Sequence, residues 1–321
     1  MNVWNPISDD QIGYLYTLSE ALRVYESNNP GILHVMDQSP MWVASDYSGQ
    51  HKEASHETYT FLVTSEVLLR KWLPQLREFR QRHLPDGRRL SFKRLNDNIR
   101  WKALPMYLNT MGNLEGSIIT IMVDKRVGSF FFGGPANAIA EFPDCFSKNA
   151  KKRTVEKMFR LASFVSFVLC GFRKESQISH WISDHDEALD SHIKREQFSR
   201  LASYLTFGAT GWFKPADAYF GTTELPTAPP WAEDFAAITD LVAGANSKMS
   251  SSLPSFFGEK AWTVRLESDA VDDDRSRTIG TWLASPEKKL KHVMLRLEKD
   301  NHGVIRSSAQ SFLKNEVRYT L

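Results

Sequence analysis

The sequence predicts an α/β protein, a mixed five-stranded sheet flanked by helices, on three observations. Short apolar runs rich in β-branched and aromatic residues, such as Tyr59–Thr64 and Ile118–Val123, read as strands, the latter buried on both faces of a sheet. Longer segments carry a helical period: in Glu66–His83 the residues Val67, Leu68, Trp72, Leu76 and Phe79 share one face. The chain has 321 residues, 42% of them hydrophobic, which suffices to bury a large core in one domain or two.

In chain order, Asp9–Tyr25 is an amphipathic helix with Ile12, Leu15, Leu18 and Leu22 on one face, ended by Asn28-Asn-Pro-Gly31. Trp42–Ser45 is the first strand, and Tyr59–Thr64 the second, antiparallel to it. Glu66–His83 is closed by the turn Pro85-Asp-Gly87. Arg88–Phe92 is read as the third strand, and Asp97–Met111 as a helix interrupted near Pro105 and ended by Gly112. Ile118–Val123 is then the fourth strand. A helix over Val155–Gly171, a fifth strand around Gln177–Ser183 and a charged helix over Glu187–Leu205 follow. Phe207–Trp231, rich in Gly, Pro and Thr, reads as a loop or irregular insertion. Asp234–Ala245 is a helix with Asp234 near its N-cap, and Ser250–Ser255 breaks the pattern. Thr278–Leu283 is a short helix, and Leu290–Leu297 with Val304–Ala309 form a terminal hairpin. The domain reading is a helical extension over 1–40, a sheet domain over 41–250 with its insertion at about 206–232, and a C-terminal extension over 251–321.

Composition narrows the function classes. Forty basic and 38 acidic residues nearly cancel, so net charge does not demand a polyanionic partner. Cys145 and Cys170 are too few and too isolated for a disulfide framework or a zinc site. The N-terminus lacks a signal-peptide pattern, and the longest apolar run, Phe164–Phe172, is too short to span a bilayer. A cytoplasmic protein without a membrane partner is expected. Phosphate-loop, dinucleotide and Gly-x-Ser-x-Gly motifs are all missing, and Gly133-Gly134 reads as a turn.

Three carboxylates stand out. Asp46 closes the apolar run Met41–Ser45 in Asp46-Tyr-Ser-Gly49; Asp124 closes Ile118–Val123 ahead of Lys125; Asp240 sits within an apolar helix, before Leu241-Val-Ala-Gly-Ala245. Converging hard oxygen ligands of this kind suit Mg²⁺ or Mn²⁺. The element order and these motifs resemble the RNase H/integrase superfamily, and within it a largely uncharacterised bacterial family with Asp-x-Ser-Gly on the first strand. Its Val-Asp-Lys is matched by Val123, Asp124 and Lys125, and its late helix by Asp240–Ala245, with Thr239 replacing an alanine. The resemblance covers residues 40–250; each motif is short, and their shared order carries the specificity.

The resemblance implies an RNase H-like sheet with the first and fourth strands side by side, so that Asp46 and Asp124 are neighbours. It also implies a nuclease centre in which Asp46 bridges two ions, each supported by Asp124 or Asp240: one ion activates water, the other stabilises the leaving 3′ oxygen. A glutamate of the superfamily's namesake enzyme has no match; the nearest acid is Asp97, at a helix N-terminus. The acid-dense Ser183-Asp-His-Asp-Glu187 could bring Asp184 or Asp186 towards Asp124, with His180, His185 and His192 nearby as acids.

Each residue also has a structural reading. Asp46 fits an Asx-turn, Asp124 a surface ion-pair cluster, Asp240 a solvent-facing helix position, and Asp186 and Glu187 a helix N-terminus. Lys93, Arg94 and Lys125 are the candidate nucleic-acid contacts. Lys93 and Arg94 belong to the basic run Arg88, Arg89, Lys93, Arg94, Arg100, Lys102, interleaved with Phe92 and Trp101; Lys148, Lys151, Lys152 and Arg153 form a second run. Both runs could equally be solvated faces. Trp181, Trp212, Trp231, Trp262 and Trp282 read mainly as packing. Two function classes result: a Mg²⁺- or Mn²⁺-dependent nuclease of DNA or RNA, serving phage defence or a mobile element, and a catalytically silent module that binds nucleic acid or a partner protein.

Overall fold

A computed structural model describes residues 3–7, 13–184, 186, 188–211, 213–214, 217–250 and 273–312. The expected helix start at Asp9–Ile12, the Ser251–Ser255 break, His185, Glu187, Trp212 and Trp262 lie outside them. In order, the elements are α1 (Tyr14–Asn28), β1 (Met41–Ser48), β2 (His56–Ser65), α2 (Glu66–His83), α3 (Asn98–Gly112), β3 (Gly116–Asp124), α4 (Pro135–Glu141), α5 (Lys152–Phe172), β4 (Ser179–Ser183), α6 (His192–Thr210), β5 (Ala218–Thr222), α7 (Ala232–Ser250), α8 (Asp274–Leu283), β6 (Leu290–Lys299) and β7 (Ile305–Gln310).

The sheet is mixed, as expected, but has seven strands in the order β5-β4-β1-β2-β3-β6-β7. The pairs β1/β4, β4/β5 and β3/β6 are parallel; β1/β2, β2/β3 and β6/β7 are antiparallel. Every residue of β3 is buried, which accounts for its unbroken apolar sequence: both its faces are covered by helices. One face packs on α1, α5 and α6 through residues such as Val43, Phe61, Phe164 and Trp181. The other packs on α2, α3, α7 and α8 through Ala44, Leu62, Trp72, Leu104, Ile238 and Ile279. Among the described residues no helix is long and apolar enough to cross a membrane.

Two expectations about strands are corrected. Arg88–Phe92 is not a strand. Its backbone groups bond to side chains instead of a neighbouring strand: the Arg88 carbonyl accepts from Arg80 Nη1 (2.6 Å), and the Arg89 carbonyl from Arg100 Nε (2.8 Å). Phe92–Arg94 then form one turn of 3₁₀ helix. Secondly, Ala218–Thr222, inside the segment read as irregular, is the edge strand β5. The first error shifts the count, so that Ile118–Val123 lies in the third strand and Gln177–Ser183 leads into the fourth. The helix α3 also runs unbroken through Pro105.

The C-terminal hairpin expected from the sequence joins the same sheet. Its β6 extends β3, and β7 is tied to α1: Ser307 Oγ donates to the Thr17 carbonyl (2.8 Å), and Tyr25 Oη meets Ser311 Oγ at 2.6 Å. α1 and β7 thereby meet at one sheet edge.

Candidate metal centre

Asp46 lies near the C-terminal end of β1, on the face that bears Ala44 and looks towards α7. Its neighbour on the sheet is β4, in parallel register with Ser45 opposite Ser183. The ladder continues one residue further, the Asp184 amide donating to the Ser45 carbonyl at 3.3 Å. Asp184 therefore stands beside Asp46 on the same face, one strand spacing (~4.8 Å) away. Asp240, on α7, arrives from above the sheet.

Two features hold Asp240 there. The Phe92 amide donates to Asp240 Oδ2 at 2.7 Å, so the irregular segment after α2 aims the carboxylate. That contact requires Gly244, one helical turn on: a Cβ at this position would lie 2.3 Å from Phe92 Cγ and 2.5 Å from Cδ1. The Arg275 guanidinium covers the Phe92 ring, 5.1 Å from its centroid. Gly49 has a related role in the first motif. Its φ of +78° turns the chain out of β1, and a Cβ would fall 2.1 Å from the His56 carbonyl oxygen. The motif glycines are thus close-approach positions that fix Asp46 and Asp240.

The Asp46 and Asp240 carboxyls are close neighbours, each acting on the other's proton affinity. Burial pushes Asp46 well above the ordinary carboxylate range, and the like charges of Asp240 and Asp184 add to the rise. Burial likewise raises Asp240, Asp184 adding to it, while the hydrogen bonds from Asp46 and the Phe92 amide and the Arg89 charge hold it back. All three residues are half-buried. Arg89 forms an ion pair with Asp184, and Thr223 Oγ1 donates to Asp184 Oδ1 at 3.2 Å. Among the described residues no group of three or more His, Cys, Asp or Glu side chains is arranged to hold a metal ion as it stands.

Asp124 is not part of this cluster, contrary to the expected adjacency. Asp46 is opposite Thr60 on β2, and Thr60 is opposite Thr120 on β3, four residues before Asp124. Strand rise and spacing put the two acids roughly 16 Å apart. Asp124 instead accepts from the Arg126 amide (2.8 Å) and from Arg126 Nη2 (2.6 Å). Burial pushes its carboxyl up, but these Arg126 bonds outweigh it and hold the group below the usual range. The ion-pair reading describes it, but the carboxylate is buried and not part of a surface cluster.

Other candidates are also placed. Asp97 caps α3, accepting from the Ile99 and Arg100 amides, and pairs with Arg88 and Arg100. Asp186 is bound by Lys157 Nζ at 2.6 Å and caps the Ala188 amide. His180 stacks between Trp42 and Tyr219 at 4.3 and 5.2 Å, four residues before Asp184, and burial lowers its pKa. His192 is largely exposed beside Glu196. Trp181 is buried in the core, and Trp231 packs edge-on against Trp42.

Of the first basic run, Arg88, Arg89 and Arg100 are committed to carboxylates. Lys93, Arg94 and Lys102 are exposed and form no ion pair among the described residues. Lys93 and Arg94 adjoin Phe92 and so flank the cluster. Lys125 Nζ donates to the His51 carbonyl, tethering the β1–β2 connection. Lys148, Lys151, Lys152 and Arg153 are exposed at the start of α5. Sequence reasoning did not assign a role at the site to Arg89, the Phe92 amide or Gly244. Only Gly244 left a signal, since a glycine inside a helix costs about 1 kcal/mol relative to alanine and implies a close neighbour.

Comparison of the chain with family models, characterised proteins and solved structures found no match.

Proposed function

We propose that the chain is an RNase H-like, divalent-metal-dependent nuclease whose metal ligands are Asp46, Asp184 and Asp240. The observation that carries this reading is the close Asp46–Asp240 pair with a third carboxylate, Asp184, just past the end of the adjoining strand. Three acids so placed repel one another, and a divalent cation is the usual resolution. The donor set fits the ion: all oxygen, on half-buried residues, with no sulfur or imidazole among the three. The side-by-side placement of β1 and β4, with β5 beyond β4, supports the RNase H-like reading; β6 and β7 are additions to it.

A bound Mg²⁺ or Mn²⁺ supplies Lewis-acid polarisation of a phosphoryl oxygen and a nucleophilic water at neutral pH. A cation held beside Asp46 would favour its carboxylate form against the burial and like charges that raise its pKa. The Phe92 amide keeps Asp240 aimed, and Lys93 and Arg94 meet the flanking phosphates of DNA or RNA. Cleavage of labelled single- and double-stranded DNA and RNA in Mn²⁺ tests this. Asp46→Asn, Asp184→Asn and Asp240→Asn should each lose roughly 100-fold or more in rate, about 2.7 kcal/mol of transition-state stabilisation. Asp124→Asn should retain activity. Equal loss in Asp124→Asn, or none in Asp184→Asn, contradicts the assignment.

A further inference from the structure

Arg89 brings a cation to a cluster that the proposed function loads with a cation. Its guanidinium pairs with Asp184 and lies within electrostatic reach of Asp240, and its side chain is 22% exposed. The backbone around it is fastened at three points: the Arg88 carbonyl to Arg80 (2.6 Å), the Arg89 carbonyl to Arg100 (2.8 Å), and the Phe92 amide to Asp240 (2.7 Å). Arg80 is itself fixed by its ion pair with Asp234. The main chain is therefore anchored, while the Arg89 side chain ends at a partly open carboxylate. Thr223 Oγ1 serves the other Asp184 oxygen.

We propose that Arg89 is a resident counter-ion. It occupies Asp184 while the cluster holds no metal, and it swings off Asp184 when a divalent ion binds. Arg89 and the ion compete for the same carboxylate, so the site loads only at ion concentrations that displace an arginine. This assignment rests on the metal-dependent reading above.

The test is Mn²⁺ binding to the full chain without nucleic acid, followed by the electron paramagnetic resonance of free Mn²⁺. Arg89→Gln should bind Mn²⁺ at least tenfold more tightly than the unaltered chain, and Arg89→Lys, which keeps the charge, within about threefold of it. In ¹⁵N-arginine-labelled unaltered protein, the Arg89 Nε–H resonance should shift on Mg²⁺ addition, a readout that holds even if Arg89→Gln fails to fold. Equal Mn²⁺ affinity in Arg89→Gln, weaker binding in it, or an unmoved resonance overturns the counter-ion role and leaves the metal site standing. Absence of Mn²⁺ binding in both proteins overturns the two readings together.

Discussion

Asp46→Asn should melt at a higher temperature than the unaltered chain in metal-free buffer, by about 0.5–2 kcal/mol of stability, although it removes a site residue. Asparagine imitates the protonated Asp46 that the buried pair prefers. The sign follows from the direction of the shift. Asp46 is raised in the folded state, so its stabilising contribution is fully present below the unfolded carboxylate pKa of about 3.9 and fades as pH rises through the folded value. The advantage of Asp46→Asn should therefore be small in acid and widen above the ordinary carboxylate range. Thermal melts at pH 5 and pH 8 in EDTA measure it. Saturating Mn²⁺ should reverse the order, since an ion at 100 times its Kd adds about 2.7 kcal/mol to the state that binds it. A variant less stable than the unaltered chain at pH 8 in EDTA would mean the pair is an ordinary structural contact.

Gly244→Ala should destabilise the chain by about 2 kcal/mol and reduce cleavage as well. Helix propensity alone argues the other way, favouring alanine by about 1 kcal/mol. The steric argument is larger. The new Cβ would sit 2.3 Å from Phe92 Cγ, and the ring is confined between α7 and Arg275. Moving Phe92 withdraws the amide that aims Asp240, which links the stability loss to activity. Denaturant unfolding and the cleavage assay, run together, check both effects. A stabilised Gly244→Ala would show that the Phe92 seat adapts without loss.

What the sequence could and could not reveal follows from where the forces are local. The period in Glu66–His83 and the apolar run of Ile118–Val123 report burial directly, so those elements were legible. Arg88–Phe92 misled because a segment satisfied by Arg80, Arg100 and Asp240 side chains has the same polar-apolar alternation as a strand. The five-residue β5 was hidden because an edge strand needs little apolar sequence of its own. The first of these misreadings changed which acid adjoins Asp46. With Ile118–Val123 counted as fourth, Asp124 seemed the neighbour; with Ser179–Ser183 in that position, the neighbour is Asp184. The acid-dense segment does point to Asp184, but towards Asp124. Asp46 and Asp240 were named from motifs whose glycines have a steric reason at Gly49 and Gly244. Arg89 left no such mark, because an arginine in a basic run looks the same whether it meets solvent or a carboxylate.

The most direct measurement is anomalous diffraction from crystals soaked in Mn²⁺. The expected result is a Mn²⁺ peak coordinated by Asp46 and Asp240, with Asp184 turned from Arg89 towards the ion. An absent peak at fully ordered Asp46 and Asp240, or a peak at Asp124 instead, would contradict the proposed metal centre.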